Sequence, residues 1–458
     1  MLKNLFNRDI ITLLLVVLGF LFYFSFGYDL SRGDFPKLIT LYGVLFFVSY
    51  RILKINQDRF WLVAGIGVAF RFLFLTSLPN LSQDFYRFIW DGRLLIKGVS
   101  PYLFIPENLI NSDFNTLGLK ISQAEQLYHG MGQLNGSHYS NYPPINQLCF
   151  ALATLFSGKS ILGAVIVMRV LIIFADVGIL FFGRKLLLKL NLNSNQIFWY
   201  FLNPFIIIEL TGNLHFEGVM LFFLISSIYL VHQKKWIESA VLFGIAVSVK
   251  LIPLLFLPLF FKWFMTNFNK GLLKLFFYYL LVISTILLTF TPFLSLAFFN
   301  NFLETTVLWF QDFEFNASIY YIIRWIGFKV VGWNMITIIG KILSLIIFIF
   351  ILIFTFFREN KSMQQLITTL LFGISVYYIL STTIHPWYIA SPLLLSVFTK
   401  YKFPIVWSFV VILSYAAYGN DAFSENLWLV TLEYFIIFSF FIWELFKSKF
   451  YFRLNNTK

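Results

Sequence analysis

The stretch Ile336–Phe357, ITIIGKILSLIIFIFILIFTFF, decides the fold class. Apart from Lys341 it carries no charge, and it exceeds the roughly 20 apolar residues that a helix needs to cross a hydrocarbon core. Stretches of the same kind recur at Ile10–Gly27, Leu38–Leu53, Phe60–Leu78, Ser160–Gly183 and Leu272–Leu296. Of the 458 residues, 59% are hydrophobic and 12% charged. A soluble domain carries about a quarter charged residues, so water is not the main solvent of this chain. The fold class is therefore an all-α polytopic membrane protein. The single Cys149 excludes a disulfide framework and a thiolate metal cluster. Leu2–Gly27 has no small-residue cleavage site and is expected to stay as the first span.

Charge placement orders the spans. The net charge of +13 comes without any basic stripe interleaved with aromatics outside the apolar runs, which argues against nucleic acid as a partner. Instead Lys and Arg mark the loops of one side, as positive-inside sorting requires. With Lys3 and Arg8 inside, the loop holding Arg51, Lys54 and Arg59 is inside too. The polar stretch 79–143 then faces outward, carrying Asp84, Asp91, Glu107, Asp113 and Glu125. Pro144–Phe156 is short for a span and reads as interfacial or re-entrant. Lys234, Lys262, Lys270, Arg358, Lys400 and the Lys447–Lys458 tail fall inside. Asp29, Asp34, the Asn213–Glu217 turn, Glu304, Asp312, Glu314, His385, Asp421 and Glu425 fall outside. One condition attaches: Trp236–Phe261 must be a hairpin of two short helices with Lys250 at its outer tip, where Pro253 and Pro258 break the run. The count is about 12–14 transmembrane helices in one domain, residues 1–458. Both termini lie on the cytoplasmic side of a bacterial-type inner membrane.

Polar residues at a membrane edge are costly and mark function by default. The densest group is Ser82–Arg93, SQDFYRFIWDGR, just after the third run. Read as a helix, Asp84, Arg87 and Asp91 share a face. A carboxylate there suits a general base acting on a substrate hydroxyl, with Tyr86, Phe88 and Trp90 bordering the substrate. The plainer alternative has Asp84 capping the helix and Asp91 paired with Arg87 or Arg93. Tyr142 stands where the chain re-enters the membrane. Asn213, His215 and Glu217 sit on a short outward turn, and a two-residue metal site is poorly supported by His215 and Glu217 without a third ligand. Lys250, with apolar residues on both sides, needs an anion or a route to water. His385, in HPWY with Trp387 and Tyr388, and Arg324 are further phosphate candidates, each with an ordinary structural alternative.

In this order the clusters resemble the GT-C class of integral-membrane glycosyltransferases, most nearly the bacterial polyprenyl-phosphate-mannose-dependent mannosyltransferase-like proteins. The strings that carry the likeness are SQDFYRFIWDGRLLIKGVSPY at Ser82–Tyr102, NYPPINQ at Asn141–Gln147, NPFIIIELTGNLHFEG at Asn203–Gly218, VKLIPLLFLPL at Val249–Leu259, FNASIYYIIRWIG at Phe315–Gly327 and HPWY at His385–Tyr388. The resemblance implies inverting transfer of a hexose, by the family mannose, from a polyprenyl-phosphate donor in the bilayer. The acceptor would be a glycolipid, a glycan or a protein, on the extracytoplasmic face. Asp84 matches the family's acidic motif residue and would be the base. Arg87, Asp91, Lys250, Arg324 and His385 would bind the substrate or the donor phosphate, the last three meeting the phosphate charge. Tyr86, Trp90, Tyr142, Asn213, His215, Glu217, Trp387 and Tyr388 would edge the acceptor pocket. Two departures stand out. Gln83 replaces the first of the two adjacent acids that such proteins often carry, which weakens the case for a divalent cation such as Mg or Mn. The motif loop also follows the third span instead of the first.

Two other readings compete. A polysaccharide polymerase would share the outer face but take a diphosphate-linked substrate. A lipid-linked glycan transporter or flippase would show charged or broken helices within several spans, and the sequence displays none beyond Lys341.

Overall fold

The computed structural model describes residues 2–111, 121–311, 313–419 and 423–455. Among them the elements are helices, with one isolated parallel bridge between Phe315 and Thr383. Seven helices are long and apolar enough to cross a membrane: Asn7–Tyr28, Phe35–Ile55, Ile161–Lys189, Gly271–Phe293, Ile336–Phe356, Met363–Leu380 and Leu427–Lys447. Ile206–Gly212 and Glu217–His232 form a bent pair at 111°. Shorter apolar helices are Phe60–Phe72, Pro144–Ser157, Trp236–Val249, Ile252–Asn267 and Phe403–Gly419. The protein is thus an all-α polytopic membrane protein. The expected 12–14 crossings exceed the seven long helices, and the difference falls on the bent pair and the shorter helices. Asp113, Asp312 and Asp421 lie outside the described residues.

The faces explain why these segments need lipid. Leu13, Leu14, Val17 and Leu21 are exposed along one side of the first helix, and Leu280, Ile283 and Leu287 along another. Such apolar stripes are untenable in water but suit hydrocarbon. Lys341 lies on the exposed side near the start of Ile336–Phe356, where its long stem can carry the ammonium to the interface. Inward faces share one buried apolar cluster that draws on residues from Tyr23 to Ile437.

Two expectations need correction. The third run is helical only over Phe60–Phe72, about 20 Å at 1.5 Å per residue. After it the chain turns, with Ser77 N–H donating to Phe74 O at 2.9 Å. Secondly, charged and broken segments do occur within the apolar runs. Arg71 and Asp176 form a 2.8 Å pair with both side chains fully buried. Arg169, also fully buried, donates to the carbonyls of Leu75, Ser77, Thr211 and Gly212 at 2.8–3.0 Å. These carbonyls are the loose ends of two interrupted helices, so Arg169 satisfies groups that hydrocarbon could not. The signal was visible as Arg169 and Asp176 inside Ser160–Gly183. Their partners are far away in sequence and were not.

Loops assigned to the same side touch one another. Arg8 pairs with Asp58 at 2.8 Å, Arg59 pairs with Asp9, and Asn195 donates to the Gln57 carbonyl. Loops assigned to the other side do likewise: Asn213 binds Leu81, Lys250 binds Glu217, and Glu425 binds Asn316. The Trp236–Phe261 segment breaks at Lys250, which is extended (φ −153°, ψ 133°) between Trp236–Val249 and the 3₁₀ run Ile252–Phe260.

Candidate active site

Asp84 opens the helix Asp84–Leu95, with Gln83 at the cap position and Ser82 Oγ accepting from the Asp84 N–H at 3.3 Å. Asp84 is thus the first helical residue and not the cap, and its carboxylate turns to other partners. Asn135 Nδ2 donates to Asp84 Oδ1 at 3.1 Å. Asn135 comes from the helix Ala124–Gly136, which kinks at Gly132 (φ 75°). That backbone conformation suits glycine, and it brings the Met131 carbonyl to Gln83 Nε2 at 2.9 Å. Asp84 is half-buried. Burial pushes its carboxyl above the usual carboxylate range, opposed by the Asn135 hydrogen bond and the charges of Arg32 and Lys250.

Lys250 faces this carboxylate from the break in its helix. Its ammonium pairs with Glu217 and lies 4.8 Å from the Tyr388 ring centroid. The lone ammonium of the sequence is thus not alone: its anion is Glu217. His215 stacks on Trp387 at 3.7 Å, and His385 lies parallel to the same indole at 4.6 Å. Both histidine-bearing loops are placed by interrupted helices. Leu214 adopts a left-handed φ of 63° at the 111° bend, and His385 precedes the 3₁₀ turn Pro386–Ile389. Burial, then Lys250 and Arg32, push the His385 imidazole down to about 3. It is neutral near pH 7, so it offers a hydrogen bond and not the positive charge expected of it. Its Nδ1 is buried without a partner.

Asp84, Lys250, Glu217, His215, His385, Trp387 and Tyr388 thus converge from four separate segments. The set can accept a proton at Asp84, donate to an anion from Lys250 and His385, and present aromatic edges. Among the described residues no three His, Cys, Asp or Glu are grouped to hold a metal ion. Glu217 is engaged by Lys250, and His215 Nε2 lies 3.8 Å from Glu209.

Residues 57–267 match the family model described as alpha-(1->6)-mannopyranosyltransferase, N-terminal domain. Over this stretch the chain is mannosyltransferase-like. A curated relative, alpha-(1->6)-mannopyranosyltransferase A of Mycobacterium tuberculosis, is 22% identical over 185 residues, 40% of this chain and 33% of that protein. The chain therefore spans about a third of the length of the relative it matches. The matched stretch contains Asp84, the Asn213–Glu217 turn and Lys250, whereas His385 and Arg324 lie beyond it.

Within the mannosyltransferase-like stretch several expected site residues face elsewhere. Arg87 Nε pairs with Asp91 Oδ1 at 2.8 Å, and Asp91 Oδ2 accepts from Ser140 at 2.6 Å and Gln147 at 2.9 Å. Arg87 also donates to the carbonyls of Asn135 and His138. The pair is buried and holds the loop, as the plainer alternative had it for Asp91. Trp90 is fully buried in the core. Asn213 is buried too, its Oδ1 accepting from the Leu81 N–H at 3.0 Å, so it ties the bend to the motif instead of lining a cavity. Tyr86 packs its ring against Gly130, whereas Tyr142, partly exposed and edge-on to Phe88 at 5.1 Å, lies within electrostatic reach of Asp84 and Tyr388 and so stays beside the Asp84 set. Arg324 pairs with Glu314 at 2.7 Å and lies over Tyr321, whose hydroxyl binds Glu425. That group is a neighbour of His385 through Phe313 and Phe315 but does not join the Asp84 set.

Proposed function

We propose that the protein transfers a mannosyl group from a polyprenyl-phosphate donor to a hydroxyl of a glycan or glycolipid acceptor, with inversion, on the extracytoplasmic face. The observation that carries this reading is Asp84. It is a half-buried carboxylate with a raised pKa, within reach of the Lys250 charge yet in no ion pair among the described residues, at the motif of the mannosyltransferase-like stretch.

The residues divide the work as follows. Asp84 takes the proton of the acceptor hydroxyl while the hydroxyl oxygen attacks C1 of the sugar. The C1–O bond to phosphate breaks, and its electron pair leaves with the polyprenyl phosphate. Lys250, held by Glu217 and Tyr388, and the neutral His385 meet the charge that grows on the leaving oxygen. A tail lying between helices keeps the donor in the bilayer. The reading goes with a single domain whose two termini are cytoplasmic.

The test is transfer from radiolabelled polyprenyl-phosphate-mannose by the purified full chain in lipid. Wild type is expected to transfer, and Asp84→Asn to lose about 10²- to 10⁴-fold in rate with its thermal unfolding unchanged. Equal rates in both would remove Asp84 as the base.

A further inference from the structure

We infer that Arg32 is the residue that receives the donor phosphate, an assignment that rests on the transfer reaction proposed above. Arg32 lies in the turn between Leu2–Tyr28 and Phe35–Ile55, well before the mannosyltransferase-like stretch. Its guanidinium carbon sits 3.3 Å from the centroid of the Tyr418 ring. Tyr418 is 6.1 Å from Phe315, and Phe315 is 5.4 Å from His385. On its other side Tyr418 is 5.8 Å from Tyr415, whose hydroxyl donates to Glu209 at 2.9 Å, beside His215. Arg32 is therefore two rings from His385 and borders the same site from the opposite end of the chain.

Unlike the charges of Arg87, Lys250 and Arg324, that of Arg32 has no ion-pair partner among the described residues. Arg87 has Asp91, Lys250 has Glu217 and Arg324 has Glu314. Among the described residues no carboxylate reaches ion-pair distance of Arg32, and its Nε is buried with no hydrogen-bond partner. A half-buried guanidinium with an unsatisfied donor calls for an anion. Tyr418 holds the plane by cation–π contact, which fixes the fork before the anion arrives. A planar fork grips two phosphate oxygens at once, whereas an ammonium binds as a point charge. The position also suits inversion. In-line displacement puts base and leaving group on opposite sides of C1, so the phosphate's cation must face the base without touching it. Arg32 is near enough for its charge to act on both Asp84 and His385, and among the described residues it forms no ion pair with Asp84.

The experiment compares binding of polyprenyl phosphate and of the uncharged polyprenol to the full chain in lipid nanodiscs, alongside transfer. Wild type is expected to prefer the phosphate. Arg32→Gln should lose roughly 10- to 100-fold for the phosphate and nothing for the alcohol, with Arg32→Lys in between and the donor KM rising in the same order. Arg32→Gln binding the phosphate as tightly as wild type would overturn the assignment and leave the transfer reaction standing. Equal losses for phosphate and alcohol would overturn it too, as damage to the fold. A wild type that does not distinguish phosphate from alcohol would overturn both this assignment and the donor class.

Discussion

Asn135 donates its side-chain amide to Asp84, and this bond favours the charged carboxylate against the burial that disfavours it. The sign follows directly. A raised pKa keeps the proton on Asp84 to a higher pH, so the acid limb of kcat/KM should lie above the usual carboxylate range. Asn135→Ala removes a lowering influence and should move that limb further up, while the rate on the alkaline plateau changes less. A pH profile of transfer for the two proteins checks this, and an unmoved limb would detach Asp84 from the proton step. Asp84 itself was legible because it stands in a motif string after an apolar run. Arg32 was not, since nothing in SRGD next to a span marks it and its neighbour Tyr418 is far off in sequence. Trp90 and Asn213 misled for the opposite reason. Their types suit a pocket, but only packing shows that one is core and the other a tie between loops.

Helix ends and close approaches position the site at the scale of elements. An ideal Cβ on Gly92 would lie 2.3 Å from the Phe150 carbonyl oxygen, so Asp84–Leu95 and Pro144–Ser157 meet backbone to backbone there. Gly92→Ala must push them apart. A gain of about 1 kcal/mol in helix propensity is outweighed by overpacking of about 1–3 kcal/mol together with displacement of Asp84. A lower unfolding temperature in detergent and slower transfer are expected. Arg169 acts on a larger joint, since its four carbonyl acceptors belong to the turn after Phe60–Phe72 and to the end of Ile206–Gly212. Arg169→Met leaves buried acceptors unpaired, at about 1–3 kcal/mol each, so marked loss of folded protein is expected by thermal unfolding. Apolar length made the long helices readable. The bend at Asn213–Phe216 was readable only as a polar turn, because the π-helical run before it is tied at its end by Arg169, which is remote in sequence.

For the whole molecule, the fold class was carried by composition, and the grouping of loops by charge. The number of crossings was less legible, because short helices such as Phe60–Phe72 and Pro144–Ser157 can cross only with partners that complete the thickness, and hydropathy does not reveal partners. Sidedness is the property on which the proposed reaction depends most, since a polyprenyl-phosphate donor and Asp84 must meet on one face. The contacts divide the loops into groups, and the basic loops predict which group is cytoplasmic. Gln57 and Gln126 are both exposed, one in the Arg8–Asp58 group and the other in the helix that supplies Asn135. In a Cys149→Ser background, a membrane-impermeant maleimide added to intact cells should label Gln126→Cys and spare Gln57→Cys until the membrane is opened. Reversed labelling would put Asp84 in the cytoplasm, where nucleotide sugars are at hand, and would end the case for a lipid-carried donor. Labelling of both would break the grouping of loops on which the arrangement of spans depends.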